Sequence, residues 1–453
     1  MVRTLLCAAL VGAAAPGFFA RAAHAGSLAI YAPADGGVVL GKQVIVDVRG
    51  CGKKAAAFST TLDGARVPLE FRAGAYKRQW VATLPLAHEG AHTLAFTGKC
   101  RGQTTFVSHA RGTVEPAMRL AGRYMRGHSP DTLGWDWGPA VFLYGLYKLD
   151  PGSSYVRGYQ MSWAAKGISA PAKNDSCPAA LTALGLLRDF NDDTGLENAA
   201  KVARYVRTEP RNRLGAINHL GHSFVGHFFP DSIWVDSLMM VGVFAAQWGA
   251  HFNDRALLDF AAAQPGLYAS ALQDPSTGLF RHAYKVKSGK TIPSSATFWL
   301  RGNGWVLAAT ADILSELPAD HPKRGELIAL LKKTADGLAK FQQPTGLWDT
   351  IANEPGAAYG ETSGTALVAY AVAKAVHRGW LEPSYLALAK RAFAGVTSRL
   401  RSKSGGELSM PRISWFTNPG ARFSYTITPA VSDMSYGVGA YLMAAAELSD
   451  EEF

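Results

Sequence analysis

The chain has 453 residues, 48% of them hydrophobic, with 46 basic against 35 acidic side chains and a formal charge of +11. That length suits one large domain and a small one, and the basic excess suits either an anionic partner or ordinary solubility. Lys and Arg form no compact block, so a nucleic acid is not the expected partner.

Residues 1–25 read as a secretory leader. Arg3 gives the positive start, Leu5 to Ala15 the apolar core, and Ala23-His24-Ala25 a small-residue cleavage site. The competing reading, a membrane anchor, requires about 20 apolar residues, and Pro16, Gly17 and Arg21 interrupt the run. Cys7 lies too near the start for a lipoprotein site. Export to the periplasm or the medium is expected, with no membrane span in the mature chain. Loss of Arg3 and Arg21 leaves 44 basic against 35 acidic residues, near +9.

Residues 26–113 carry short β-type runs such as Gln43–Val48, Gln79–Leu84, His92–Phe96 and Thr104–Val107, separated by Gly, Pro and Asp turns. The pattern predicts a small immunoglobulin-like β-sandwich, serving either as a spacer or as a carbohydrate-binding module. Cys51 and Cys100 both fall here, and in an exported protein they are candidates for a disulfide. Cys177 has no basic neighbour in sequence and reads as a small buried residue rather than a nucleophile.

From residue 114 to 453 the chain alternates two kinds of helix. Apolar helices begin near Trp135, Pro178, Trp234, Phe298, Glu361 and Asp433. Between them, Met118–Arg126, Tyr155–Ala165, Glu197–Arg207, Arg255–Leu272, Arg324–Phe341 and Ser384–Leu400 place apolar residues at three- and four-residue intervals, as one-sided burial requires. The repeat spacing is irregular, roughly 40 to 70 residues. Six such hairpins close into an (α/α)6 toroid, with an open solenoid as the alternative. In the closed form the inner helices share one N-terminal mouth, which Asp136, Asp175, Asp236, Arg301, Glu361 and Asp433 would face.

Asp236 is a lone carboxylate entering an apolar helix two residues after Trp234. Low dielectric beside an aromatic raises a carboxyl pKa and suits proton donation; the same position also suits a carboxylate that only offsets the helix dipole. Asp175 precedes Pro178, a good first-turn residue, so it reads either as a cap or as half of a carboxylate pair of the kind glycoside chemistry uses. Arg301 and Trp305 are four apart on one helix face. They suit a forked grip on a sugar carboxylate plus ring stacking, or a structural ion pair with a core Trp. Trp135-Asp136-Trp137 and Trp348-Asp349 put aromatics beside acids, a pattern that fits sugar rings or core packing. Glu361 opens another apolar helix. His219, His222 and His227 crowd one loop, but their spacing fits no standard zinc pattern and no metal is expected; His227 is nearest Asp236 in sequence. Phosphate loops, serine elbows and dinucleotide fingerprints are absent from the sequence.

Several blocks together resemble the unsaturated glycuronyl hydrolases of glycoside hydrolase families 105 and 88, family 105 most. They are Trp135-Asp136-Trp137 with Gly145-Leu146-Tyr147, Ile233 to Met240, Gly278-Leu279-Phe280-x-His282, Phe298 to Trp305, and Glu361-Thr362-Ser363-Gly364-Thr365, spread over residues 118–445. The resemblance implies that Asp236 is general acid and base, that Asp175 assists it, and that His282, Arg301, Trp305 and Trp234 contact substrate. It implies removal of a terminal 4,5-unsaturated uronic acid from lyase-generated anionic oligosaccharides, pectic rhamnogalacturonan fragments first, by hydration of the double bond and without a cofactor. Two blocks depart from the family pattern. His282-Ala283-Tyr284 stands where His-Gly-Trp is usual, and Asp175-Ser176-Cys177-Pro178-Ala179 lacks the usual second acid and Pro-Gly. The alternatives are an inverting hydrolase or lyase on saturated polymer, and a non-catalytic glycan-binding protein.

Overall fold

The computed structural model describes residues 28–50, 58–109 and 111–453. The leader expected over residues 1–25 and Cys51, the expected partner of Cys100, lie outside the described residues.

The N-terminal region is a two-sheet β unit. One sheet runs β1 (Leu28–Ala32), β3 (Gln43–Gly50), β7 (Gln79–Pro85), β6 (Arg72–Ala73). The other runs β2 (Gly37–Leu40), β9 (Gly102–His109), β8 (Gly90–Gly98), β4 (Phe58–Leu62), β5 (Ala65–Arg66). Among the described residues only the β2–β9 pair is parallel. Side chains alternate across each strand, so Val44, Val46 and Val48 of β3 meet Leu94 and Phe96 of β8 and Phe106 of β9 in one apolar cluster.

Twelve long helices follow. The inner ones are α2 (Trp137–Leu149), α4 (Leu181–Phe190), α6 (Val243–His251), α8 (Leu300–Glu316), α10 (Thr362–His377) and α13 (Ser435–Glu447). The outer ones are α1 (Val114–Gly127), α3 (Ser154–Lys166), α5 (Leu196–Thr208), α7 (Arg255–Leu272), α9 (Arg324–Ala339) and α11 (Leu386–Thr397). A short helix, α12 (Arg422–Ile427), lies in the loop before α13. Each inner helix touches the next, in the order α2, α13, α10, α8, α6, α4 and back to α2, so the ring is closed as expected.

The sequence difference between the two helix sets has a direct physical reading. Every residue of α8 from Leu300 to Leu314 is buried, because an inner helix has neighbours on all sides. Outer α1 buries only Pro116, Ala117, Leu120, Ala121 and Tyr124, a single stripe. Inner helices also pack backbone to backbone where glycine permits. A Cβ on Gly145 would stand 2.3 Å from the Gly439 carbonyl oxygen, so α2 and α13 could not approach this closely with any other residue there.

The β unit lies against this ring. Val38 and Leu40 belong to the toroid's core, and a buried ion pair joins Asp47 of β3 to Arg399 beyond α11 at 2.6 Å. No described helix is long and apolar enough to cross a membrane.

Candidate active site

The loops leading from outer to inner helices gather at the N-terminal ends of the inner helices. There, β10 (Ser232–Trp234), β11 (Ala283–Lys285) and β12 (Lys290–Ile292) form a small antiparallel sheet, pairing Trp234 with Ala283. This register brings Asp236 to His282. Asp236 opens an inner helix whose next turn, Leu238–Gly242, is π-helical, a local widening often found at functional positions.

Two carboxylates are served by parallel relays. In the first, Gly420 N–H donates to Tyr425 Oη (3.3 Å), Tyr425 faces His282 Nδ1 (3.0 Å), and His282 Nε2 faces Asp236 Oδ2 (3.1 Å). In the second, Ser237 Oγ faces His219 Nδ1 (2.9 Å), and His219 Nε2 lies 3.4 Å from Asp175 Oδ1. A hydroxyl that donates to Nδ1 leaves the proton of a neutral imidazole on Nε2, aimed at the carboxylate. Trp234 sits between the relays, stacked on His219 at 4.2 Å and edge-on to His282 at 5.9 Å. Asn174 locks the second relay by donating to Ser237 Oγ and accepting from Tyr205, each at 2.9 Å.

The electrostatics overturn one expectation. Burial alone would raise the Asp236 pKa, but the charge and hydrogen bond of His282, with the charge of His219, outweigh it, and the net shift is downward. His282 is itself pushed below the ordinary histidine value, first by burial and further by His219 and Arg301, against the pull of Asp236. The free site therefore holds Asp236 ionised at neutral pH. The neighbouring Trp234 is outweighed by two imidazoles that the sequence did not place.

Arg301 is 1% exposed. Its guanidinium donates to the carbonyls of Ser414 (2.6 Å) and Trp415 (3.0 Å), and to the Ser414 hydroxyl, and lies 4.6 Å from the Trp299 ring centre and 4.8 Å from that of Tyr436. No carboxylate pairs with it among the described residues. Trp137 stacks on Tyr436 at 4.7 Å and meets the exposed Phe416 edge-on, extending this aromatic wall outward. Next to Trp137 in the chain, Asp136 is bridged to Asp175 by Lys173 Nζ, at 3.4 Å and 3.5 Å. Burial pushes the Asp136 carboxyl up; Lys173 opposes this and Asp175 adds to it.

The structure thus brings together Asp175, Asp236, Trp234, His282, Arg301 and Asp136. Other expected contacts are displaced. Trp135 is partly buried and donates its indole N–H to the Ser176 carbonyl at 2.8 Å, so it holds the Asp175 turn. Trp305 is fully buried in α8, because the inner helix is enclosed on every side. Trp348 is also fully buried and donates to the Leu338 carbonyl at 2.8 Å. Glu361 is fully buried as the N-cap of α10, accepting from Ser363 and Gly364 N–H. His282 keeps its place in the site, but covered by Trp299 at 4.3 Å it faces Asp236 rather than open space. His227 is exposed and bonded to the Ser223 carbonyl, with no contact to Asp236; His219 takes the place beside the carboxylates. Asp433 pairs with Arg123 of α1 rather than joining the site.

Sequence reasoning missed His219, Lys173, Ser237 and Tyr425 as participants. His219 was visible in its histidine-rich loop, but nothing in the chain around Tyr425 marks a residue that reaches His282 from 143 positions away.

The family model for Glycosyl Hydrolase Family 88 matches residues 116–450, the whole helical region. The unsaturated rhamnogalacturonyl hydrolase YesR of Bacillus subtilis (strain 168) is 29% identical over 245 residues, covering 52% of this chain and 70% of that protein. The unsaturated 3S-rhamnoglycuronyl hydrolase of Alteromonas sp. (strain LOR) is 29% identical over 217 residues, 48% of this chain and only 50% of its own length. Among solved structures, a family 105 glycoside hydrolase of C. acetobutylicum ATCC 824 superposes with a TM-score of 0.66 at 23% identity, covering 73% of this chain and 98% of that one. The unsaturated glucuronyl hydrolase of Bacillus sp. GL1 gives 0.60 at 16% identity, covering 75% and 96%; these likenesses carry the toroidal fold. With two carboxylate relays at the mouth of that toroid, the chain belongs to glycosyl hydrolase family 88 and is a glycoside hydrolase.

Proposed function

We propose that the enzyme removes a terminal 4,5-unsaturated uronic acid from anionic oligosaccharides by hydrating the C4=C5 double bond. The observation that carries this reading is the juxtaposition of the Asp236–His282 pair with a buried Arg301 that has only neutral acceptors. A buried guanidinium without a carboxylate is costly unless a ligand supplies the anion, and a uronic acid brings its own.

Asp236 becomes the acid only in the complex. A substrate carboxylate near Arg301 excludes water and places a second negative charge beside Asp236, which raises its proton affinity. The proton passes to C4, and the positive charge at C5 is shared with the ring oxygen. Water adds at C5, giving its proton to Asp236 or to Asp175. The hemiketal opens to a C5 ketone, and the hemiacetal left at C1 expels the neighbouring sugar as an alcohol. One water is consumed and no redox change occurs. His282 and His219 hold the two carboxylates, and both lower the proton affinity of Asp236 in the free site.

Rhamnogalacturonan fragments are the favoured substrates, supported by the likeness to the rhamnogalacturonyl hydrolase, with glucuronyl-type fragments next. Action after export rests on the leader-like residues 1–25. The test is loss of the ultraviolet absorbance of the conjugated double bond on incubation with an unsaturated rhamnogalacturonan disaccharide. Loss only on glucuronyl oligosaccharides would move the substrate and keep the mechanism. Release of sugar from saturated polymer, or binding without turnover, would replace it.

A further inference from the structure

We propose that the β unit is a working part of the toroid's mouth, and that Tyr76 is a positioning residue for Arg301, acting through Asp349, Glu361 and Ser414. The β unit precedes the residues that match the family, so the catalytic comparison gives it no role. The claim about Arg301 rests on the hydrolase reading above; the mechanical link does not.

The link is continuous. Tyr76, between β6 and β7, is fixed by its own N–H to Gln79 Oε1 (3.1 Å) and by the Arg49 guanidinium 3.9 Å from its ring centre. Its hydroxyl donates to Asp349, which is 1% exposed. Asp349 also accepts from Gln343 Nε2 (2.6 Å) and from the N–H groups of Gly356 (2.8 Å) and Ala358 (3.3 Å), so it organises the loop before α10. Gly356 adopts φ 92° directly under the β unit, where a Cβ would stand 2.4 Å from the Ala75 carbonyl oxygen. A side chain there would therefore be strained and obstructed at once.

Asp349 and Trp348 then pair with Gly360 and Glu361 across the two-stranded β13 (Trp348–Asp349) and β14 (Gly360–Glu361). Glu361 accepts from Ser414 N–H at 3.0 Å, and the Ser414 carbonyl accepts from Arg301 at 2.6 Å. A second strut meets the same place. Arg412 lies 5.4 Å from the Tyr31 ring centre of the β unit and 5.7 Å from that of Tyr359, donates to the Gly360 carbonyl (3.2 Å), and accepts from Thr362 N–H (3.1 Å) through its own carbonyl. Both struts end on the segments that hold Arg301. Asp349 and Glu361, which looked like sugar contacts in the sequence, are joints of this brace.

The test uses the full-length enzyme and the absorbance assay. Tyr76→Phe removes one hydrogen bond to a charged acceptor, worth about a tenfold change, and it should appear as a rise in KM with kcat within about twofold. Asp349→Asn should behave likewise. In an Arg301→Lys background the Tyr76→Phe effect on KM should vanish, which a merely structural contact would not produce. Hydrogen exchange in peptides covering 349–361 and 410–416 should quicken in Tyr76→Phe, and this readout needs no substrate. Asp63→Asn, on the β4–β5 turn, is the control: it loosens the β unit by leaving one acceptor oxygen for both His92 and the Thr93 N–H and should lower Tm with KM unmoved. Unchanged exchange in Tyr76→Phe would overturn the brace. Faster exchange with unchanged KM, or an equal KM rise from Asp63→Asn, would overturn the link to Arg301. No turnover by the wild type would defeat the hydrolase reading while the exchange result still decides the brace.

Discussion

Both ends of the toroid bury charge, and they treat it oppositely. At the base, near the C-terminal ends of the inner helices, Asp312 of α8 receives Lys374 Nζ at 2.5 Å, Tyr144 Oη at 3.0 Å and the Tyr370 hydroxyl. Asp312, Lys374 and Tyr144 edge a cavity of about 240 Å³ that Lys148, Arg188 and Glu316 also line. Burial would raise the Asp312 pKa, but Lys148 and Lys374 more than offset it and hold it at about 2. At the mouth, Arg301 is as deeply buried and meets only neutral acceptors, while Asp236 and Asp175 face histidines. A charge matched by its own protein stabilises the fold. A charge left to be matched by a ligand is a binding site that costs stability until it is filled.

Substitutions at the two ends should therefore separate activity from stability. Asp236→Asn should lower kcat by about 10³-fold or more, by analogy with removal of a general acid–base group, with little change in Tm; activity and melting together check it. At the base, Asp312→Asn should cost about 3 kcal/mol, because Lys374 is left buried without its partner, and KM should not move. Its pH signature follows from the depressed pKa. The Asp312 contribution is present above the ordinary aspartate value of 3.8 and is lost as pH falls through about 2. Denaturation across that acid window should show a shallower loss in Asp312→Asn than in wild type; equal slopes would assign the acid lability elsewhere.

Arg301→Lys should reduce kcat/KM by about 100-fold on a carboxylate-bearing substrate, since an ammonium cannot reproduce the forked grip. The loss should fall largely on KM, and a neutral methyl ester should show little difference between the two proteins. The smallest effects concern the proton. On the proposed mechanism the productive free enzyme is the fraction that carries an added proton shared between Asp236 and His282, and His282 is shifted below the ordinary histidine value of about 6.5. A raised pH removes that proton, so kcat/KM should fall as pH rises through a value below about 6.5. Tyr425→Phe removes the donor to Nδ1, which favours neutral imidazole, and should move that limb to higher pH with a rate change of about tenfold or less. A limb that stays in place would separate Tyr425 from the relay.

Helix type was legible along the chain because burial leaves a periodic trace. Arg255–Leu272 was bounded to the residue from its spacing, and the all-apolar runs marked the inner ring. Asp236 stood out as a lone carboxylate in such a run, and the six-hairpin arrangement followed from counting. Contacts across the ring leave no such trace. Trp305 and Glu361 have the composition of sugar contacts, yet enclosure on all sides made one a core residue and the other a helix cap. His282 meets Tyr425, Arg301 meets Ser414, and Tyr76 meets Asp349 over separations of 143, 113 and 273 residues. By itself the sequence determined which segments are helices, which face each buries, and which end carries polar residues, since periodicity and turn chemistry are local. Only the closed ring decided the protonation of Asp236, the choice of His219 over His227, and the bracing of the mouth by the β unit, because electrostatic neighbours are set by distance in space rather than along the chain.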